Sequence, residues 1–217
     1  AGVNLTYSTE GYSNPAGPGT GALTGSSSNG SAVQVRRNLS STMSATTNPV
    51  WISYLSDASG PDAKGNNLDL PGDQGQGERL LVTHYGNAVR LWGGTYGTTQ
   101  HSGLDAAETA LILMKIQANV SGANDRVDIW VNPDLSGGET GLAAADLTGS
   151  GQDWLTIGLN SVELAIQRDN NTGEPTGWMD AFYMSNDPDG FEKVTPEPAS
   201  LVLLGLGGAA MMGRRRR

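Results

Sequence analysis

The chain has 217 residues, with 31 Gly, 10 Pro, no Cys and a formal charge of −9 at neutral pH. Its length suits one domain with a substantial core, while the lack of cysteine excludes a disulfide framework, thiolate metal ligands and a cysteine nucleophile. With the four C-terminal arginines set apart, the 9 remaining basic side chains face 22 acidic ones, and a balance of −13 excludes nucleic acid as a natural partner.

The acids are dispersed from Glu10 to Glu197 and form no run, which describes a solvated acidic surface. Ala1 opens a polar stretch with no apolar h-region, so any secretory signal peptide is expected to have been removed already or to lie outside this sequence. Glycines and Pro15 and Pro18 exclude long regular elements from the first 32 residues, apart from an early strand over Val3 to Tyr7. Val33 and Val35 alternate with Gln34 and Arg36, and Trp51-Ile52-Ser53-Tyr54-Leu55 is an aromatic and β-branched run after Pro49. Both predict half-buried strands.

Between Asp57 and Asp73 the chain is rich in Asp, Asn and Gly and reads as a loop region. Its oxygen-bearing side chains Asp57, Asp62, Asn66, Asn67, Asp69 and Asp73 are of the type that a structural Ca²⁺ needs, since that ion takes six to eight oxygen ligands. Asp and Asn also favour turns for their own sake. No other cofactor is expected.

Leu80 to Tyr85 and Ala88 to Trp92 flank Gly86-Asn87 and predict a hairpin. Ile112, Met114, Ile116, Ala118 and Val120 fall on one face of a strand, and Val127, Ile129 and Val131 on one face of the next. Ser121 to Asp125 joins them as a hairpin loop, with Lys115 and Arg126 available to nearby acids. Val162, Leu164 and Ile166 alternate in a further strand, and a last one runs from Trp178 to Ser185. No helix of three turns fits between residues 10 and 195, and Ala143 to Leu147 makes a single turn at most. The fold class is therefore all-β, with two antiparallel sheets packed face to face over residues 1–194.

Val50 to Leu55, Asp128 to Pro133 and Met179 to Ser185 resemble segments of concanavalin A-like, or laminin-G-like, jelly-roll domains. The resemblance implies that Pro133 ends a strand and opens a long loop to about Trp154, and that Asp180 lies on a strand closing a sheet. It also implies a concave sheet suited to binding. Glycosidases of this fold share a Glu-x-Asp-x-x-Glu strand, which is missing here. Asp125 with Asp128 has the wrong parity for one strand face, and Asp187 with Asp189 flanks Pro188 in an exposed turn, so neither pair offers the facing carboxylates of a glycosidase. His84 lies in a strand run and His101 in a Gly/Thr/Ser loop, neither in a catalytic or metal-binding spacing. The protein is read as a non-enzyme. Trp92, Tyr96, Trp130, Trp154 and Trp178 are the rings available to stack on sugars, or else to pack in the core.

Residues 195–217 are built differently. Thr195 to Ser200 contains Pro196-Glu197-Pro198, which keeps the chain extended; Leu201 to Gly213 is uncharged; and Arg214, Arg215, Arg216 and Arg217 close the chain. As a helix the apolar stretch predicts a short membrane span, with the arginines snorkelling on the cytoplasmic side and the body outside. These three parts resemble the PEP-CTERM sorting signal: a Pro-Glu-Pro motif, a short transmembrane segment and an arginine cluster. That resemblance implies an exosortase-type membrane protease as partner and a bacterial carrier linked to extracellular polymer. It also implies transient inner-membrane anchoring through residues 201–213, then release to the cell surface or matrix. The function expected is an exported, non-enzymatic structural or adhesive protein of the cell surface or extracellular matrix. The alternative is a carbohydrate-binding module recognising an exopolysaccharide.

Overall fold

The computed structural model describes residues 4–8, 22–26, 33–43, 48–57, 63–70, 80–85, 88–92, 99–103, 109–121, 124–152, 159–168 and 178–195. The strands are β1 (Asn4–Ser8), β2 (Ala22–Ser26), β3 (Val33–Met43), β4 (Val50–Asp57), β5 (Ala63–Leu70), β6 (Leu80–Tyr85) and β7 (Ala88–Trp92). They continue with β8 (Thr99–Ser102), β9 (Ala110–Ser121), β10 (Asn124–Val131), β11 (Leu147–Gln152), β12 (Leu159–Arg168) and β13 (Trp178–Ser185), followed by the short helix α1 (Gly190–Val194). A seven-stranded sheet has the order β1-β2-β13-β4-β9-β10-β11 and a six-stranded sheet the order β3-β12-β5-β6-β7-β8. Neighbours pair antiparallel throughout, so the expected two-sheet sandwich is the architecture found.

Period-two patterning places the core. Val50, Ile52 and Tyr54 of β4, Ile112, Met114 and Ile116 of β9, and Val127, Ile129 and Val131 of β10 point inward from the larger sheet. They meet Leu68 and Leu70 of β5, Leu80 and Val82 of β6, and Val89 and Leu91 of β7 from the smaller one. Each such side chain contributes about 1.5–3 kcal/mol by leaving water. At the end of the β9–β10 ladder the left-handed Asn132 (φ 51°) donates its N–H to the Leu111 carbonyl and accepts the Leu111 N–H on Oδ1, both at 2.8 Å. The side chain thus prolongs the ladder by one rung where Pro133 forbids another backbone donor.

A second apolar cluster lies on the opposite face of the seven-stranded sheet. Trp51, Leu113 and Trp130 point away from the main core, yet are buried by Leu135 and by Phe191 and Val194 of α1. The segment after β10 supplies this cover, with the Trp130 indole donating to the Ala143 carbonyl at 2.8 Å.

Several expectations need correction. The single turn placed over Ala143 to Leu147 is instead a 3-10 turn over Glu139–Gly141. The long loop drawn from Pro133 to Trp154 contains β11, which pairs along β10. The loop region from Asp57 to Asp73 contains β5, a strand in the interior of its sheet. His101 lies on β8, opposite Val89. The β9–β10 connection is shorter than expected, with Ser121 paired to Asn124. The expected transmembrane helix is not retained in the fold class: among the described residues no helix is long and apolar enough to cross a membrane. Residues 201–213 themselves lie outside the described residues. Length is the physical reason, because 13 apolar residues reach only about 20 Å as a helix against a hydrocarbon core of roughly 30 Å. The fold class is an all-β sandwich ending in a one-turn helix.

Candidate functional site

Strand parity defines the outer face of the six-stranded sheet. On β5, Leu68 and Leu70 point into the core, so Gly65, Asn67 and Asp69 point outward. The register continues this face across the sheet. One row runs Glu163, Asp69, Leu81, Trp92, and the next Ala165, Asn67, Thr83, Arg90. Tyr85, opposite Ala88, begins a third.

Trp92 (40% exposed) and Tyr85 (41%) are the exposed large hydrophobic side chains among the described residues, and both stand on this face. The Arg90 guanidinium lies over the Tyr85 ring, 5.3 Å from its centroid. Asn67 is buried and its Oδ1 has no hydrogen-bond partner. Gly65 (φ 116°) sits beneath Tyr85 at a place no side chain fits: a Cβ would stand 2.8 Å from Thr83 Cγ2 and 2.9 Å from the His84 carbonyl oxygen. The arrangement offers two aromatic plates, a cation between them and a floor of hydrogen-bonding groups. It suits a flat, hydroxylated ligand.

A separate polar cluster is sealed between the sheets. Asn66 Nδ2 donates to Ser56 Oγ at 2.9 Å and to the Asp57 carbonyl at 2.8 Å, while His84 Nδ1 lies 2.9 Å from the same Ser56 Oγ. His84 and Ser56 are fully buried, so this Ser/His contact satisfies polar groups in the interior and reaches no substrate.

On the larger sheet, Asp180 is buried next to Ala181, whose φ of 50° marks an irregularity where β13 shifts register against β4. Burial pushes the Asp180 carboxyl above its ordinary range, opposed by a 2.7 Å bond from the Ala181 N–H. Tyr183 is pushed up by burial and by the Asp180 charge. Beside it the Ser53 hydroxyl donates to the Val194 carbonyl, pinning α1 to the sheet.

The sequence-predicted residues are distributed unevenly. Of the stacking rings, Trp92 is exposed, Trp130 is buried in the second cluster, Tyr96 and Trp154 lie outside the described residues, and Trp178 is placed only by its backbone on β13. Tyr85 was not among them, because an aromatic residue directly before Gly86 reads as the end of a hairpin strand. Of the calcium candidates, Asn66 points into the core whereas Asn67 and Asp69 point outward, so the structure does not gather these three. Asp57 ends β4, and Asp62 and Asp73 lie outside the described residues. Among the described residues no group of three or more His, Cys, Asp or Glu is placed to hold a metal ion. Pro196 to Pro198 and Arg214 to Arg217 also lie outside the described residues, directly after Thr195.

Residues 194–217 match the family model of the PEP-CTERM protein-sorting motif. The chain carries a PEP-CTERM sorting signal. The match begins at Val194, the last residue of α1, so the PEP-CTERM segment follows the sandwich without a spacer. No curated protein sequence matches the chain. Among solved structures, the chain is similar to a bifunctional GH43-CE protein of Bacteroides eggerthii (TM-score 0.43, 13% identity), covering 81% of this chain but 22% of that one. It is also similar to lectin II from Ulex europaeus (TM-score 0.42, 10% identity, 76% of this chain and 85% of that one). A third is scytalido-glutamic peptidase with a transition state analog inhibitor (TM-score 0.33, 15% identity, 69% and 83%). The PEP-CTERM motif implies a sorting system of the exosortase type. The accompanying expectation of a transient inner-membrane anchor is withdrawn, since no described helix provides it.

Proposed function

We propose that this is an exported PEP-CTERM protein of the bacterial surface or extracellular matrix whose sandwich binds a polysaccharide. The observation that carries the binding is the placement of Tyr85 and Trp92, exposed together on the outer face of one sheet beside Arg90 and Asn67. Exposed aromatic plates lose little entropy on binding and match the apolar faces of sugar rings, while the polar floor takes up ring hydroxyls. A passive structural or adhesive role, the other expectation, gives no reason to hold two large rings in water on one face. The reading involves binding and no turnover. A broad glycan array probed with the full chain and with Trp92→Ala and Tyr85→Ala tests it: the wild type is expected to retain a defined subset of glycans and each variant to lose it. Equal retention by all three overturns the assignment of this face. For the sorting half, surface-extracted protein is expected to end near Pro198 to Ser200, as read by mass spectrometry. A mature form still carrying Leu201 to Arg217 overturns it.

A further inference from the structure

The outer face also specifies the charge of its ligand. Lys115 is paired with Glu139 (2.6 Å), Arg126 with Asp128 (2.9 Å), and Lys193 with Asp187 and Asp189. Arg90 has no such partner. Its Nε is buried without a hydrogen-bond partner, and its guanidinium lies over the Tyr85 ring. A guanidinium has five donors in a planar fork and cannot shed its charge, so a half-buried one without an acceptor is a site awaiting an anion.

Its position within the face is equally informative. Trp92 and Arg90 are two residues apart on β7, and Tyr85 lies opposite Ala88, two residues further along. At about 3.3 Å per residue, the two aromatic plates are separated by roughly 13 Å along the strand, with Arg90 midway. That span fits a short run of linked sugar units better than a single ring. In the row that contains Arg90 lies the buried Asn67, whose Oδ1 has no hydrogen-bond partner. Asp69 and Glu163 belong to the row that contains Trp92. Arg90, midway between the plates, is where the acidic group of a ligand is placed. The acidic surface elsewhere does not cancel this, because exposed charges are screened within about 8 Å at physiological salt.

We propose that this face binds a carboxylate-bearing polysaccharide, a polyuronate, with one carboxylate on the Arg90 guanidinium and flanking sugar rings on Tyr85 and Trp92; the proposal rests on the glycan-binding reading above. Calorimetry of the full chain with polygalacturonate and with its methyl ester tests it, since the ester keeps the rings and removes the charge. The acid is expected to bind at least about tenfold tighter than the ester, the size of a charge-assisted bidentate contact. Arg90→Gln is expected to erase that preference while keeping the weak binding to the ester, and Trp92→Ala to weaken both. Arg90→Lys, which keeps the charge and loses the fork, should fall between, and it serves as the test if Arg90→Gln does not fold. Equal binding of acid and ester, or a preference that survives Arg90→Gln, overturns the polyuronate assignment. If neutral glycans alone bind, the glycan-binding reading stands without it; if no glycan of a broad array binds, both fall.

Discussion

The indole of Trp51 stacks on that of Trp130, with ring centroids 5.9 Å apart and planes 23° from parallel, on the face of the seven-stranded sheet turned away from the main core. Phe191 meets Trp51 edge-on at 5.2 Å, and Lys115, paired with Glu139, caps the same indole at 4.9 Å. Phe191→Ala therefore removes the keystone of α1 and is expected to cost about 3 kcal/mol, as for other buried Phe truncations. Urea unfolding measures this, and a change below about 1 kcal/mol would mean that α1 is dispensable to the sandwich.

Tyr54 is fully buried beside Phe182, and its hydroxyl has no hydrogen-bond partner. Burial accordingly pushes its phenol far above its usual range. Tyr54→Phe deletes a desolvated polar atom and leaves the ring, so the variant should be as stable as the wild type or more so, by up to about 1 kcal/mol. A destabilisation larger than that would reveal a partner for the hydroxyl.

Asp180 provides a pH signature. Because its folded-state pKa is raised by burial, the folded chain holds this proton more tightly than the unfolded chain. Stability falls as pH rises from the ordinary carboxylate range through the folded pKa, and the penalty is complete above it. Asp180→Asn keeps an oxygen for the Ala181 N–H and removes the charge. It should melt higher than the wild type at neutral pH and match it at about pH 3, below the ordinary Asp range. A melting difference that is the same at both pH values contradicts the assignment.

Gly65 links stability to the outer face. A methyl group there meets Thr83 Cγ2 and the His84 carbonyl, in a backbone conformation that L-residues rarely adopt. Gly65→Ala should cost more than about 1 kcal/mol and shift β6 beneath Tyr85, lowering glycan affinity as well. Unaltered melting together with unaltered binding would show that the strand yields without consequence.

The main core was legible because β9, β10 and β12 set apolar against polar residues at period two, β4 is an aromatic and β-branched run after Pro49, and β6 and β7 flank the turn at Gly86-Asn87. β5 was not, because Asn66, Asn67 and Asp69 have the composition of a turn. Its polar residues are tolerated in a central strand by two different means: Asn66 joins Ser56 inside the sandwich, and Asn67 and Asp69 face outward. β11, with Thr148-Gly149-Ser150-Gly151, lacks apolar alternation because it is the outermost described strand of its sheet and follows β10 by pairing alone. The second cluster was hidden for another reason. Trp51 and Trp130 occupy the outward parity of their strands, and their burial depends on cover from a segment without any periodicity. Of the binding face, Trp92 was visible in the sequence, whereas Tyr85, Arg90 and Asn67 became neighbours only through the register.

The pinning of α1 by Ser53 has a geometric corollary. Val194, where the match to the sorting motif begins, lies on the outer side of the seven-stranded sheet, and the aromatic plates stand on the outer side of the six-stranded one, with the whole thickness of the sandwich between them. Handle and grip are back to back. A protein that reads or cuts the sorting motif therefore approaches from the side of the sandwich opposite the plates, and neither event obstructs the other.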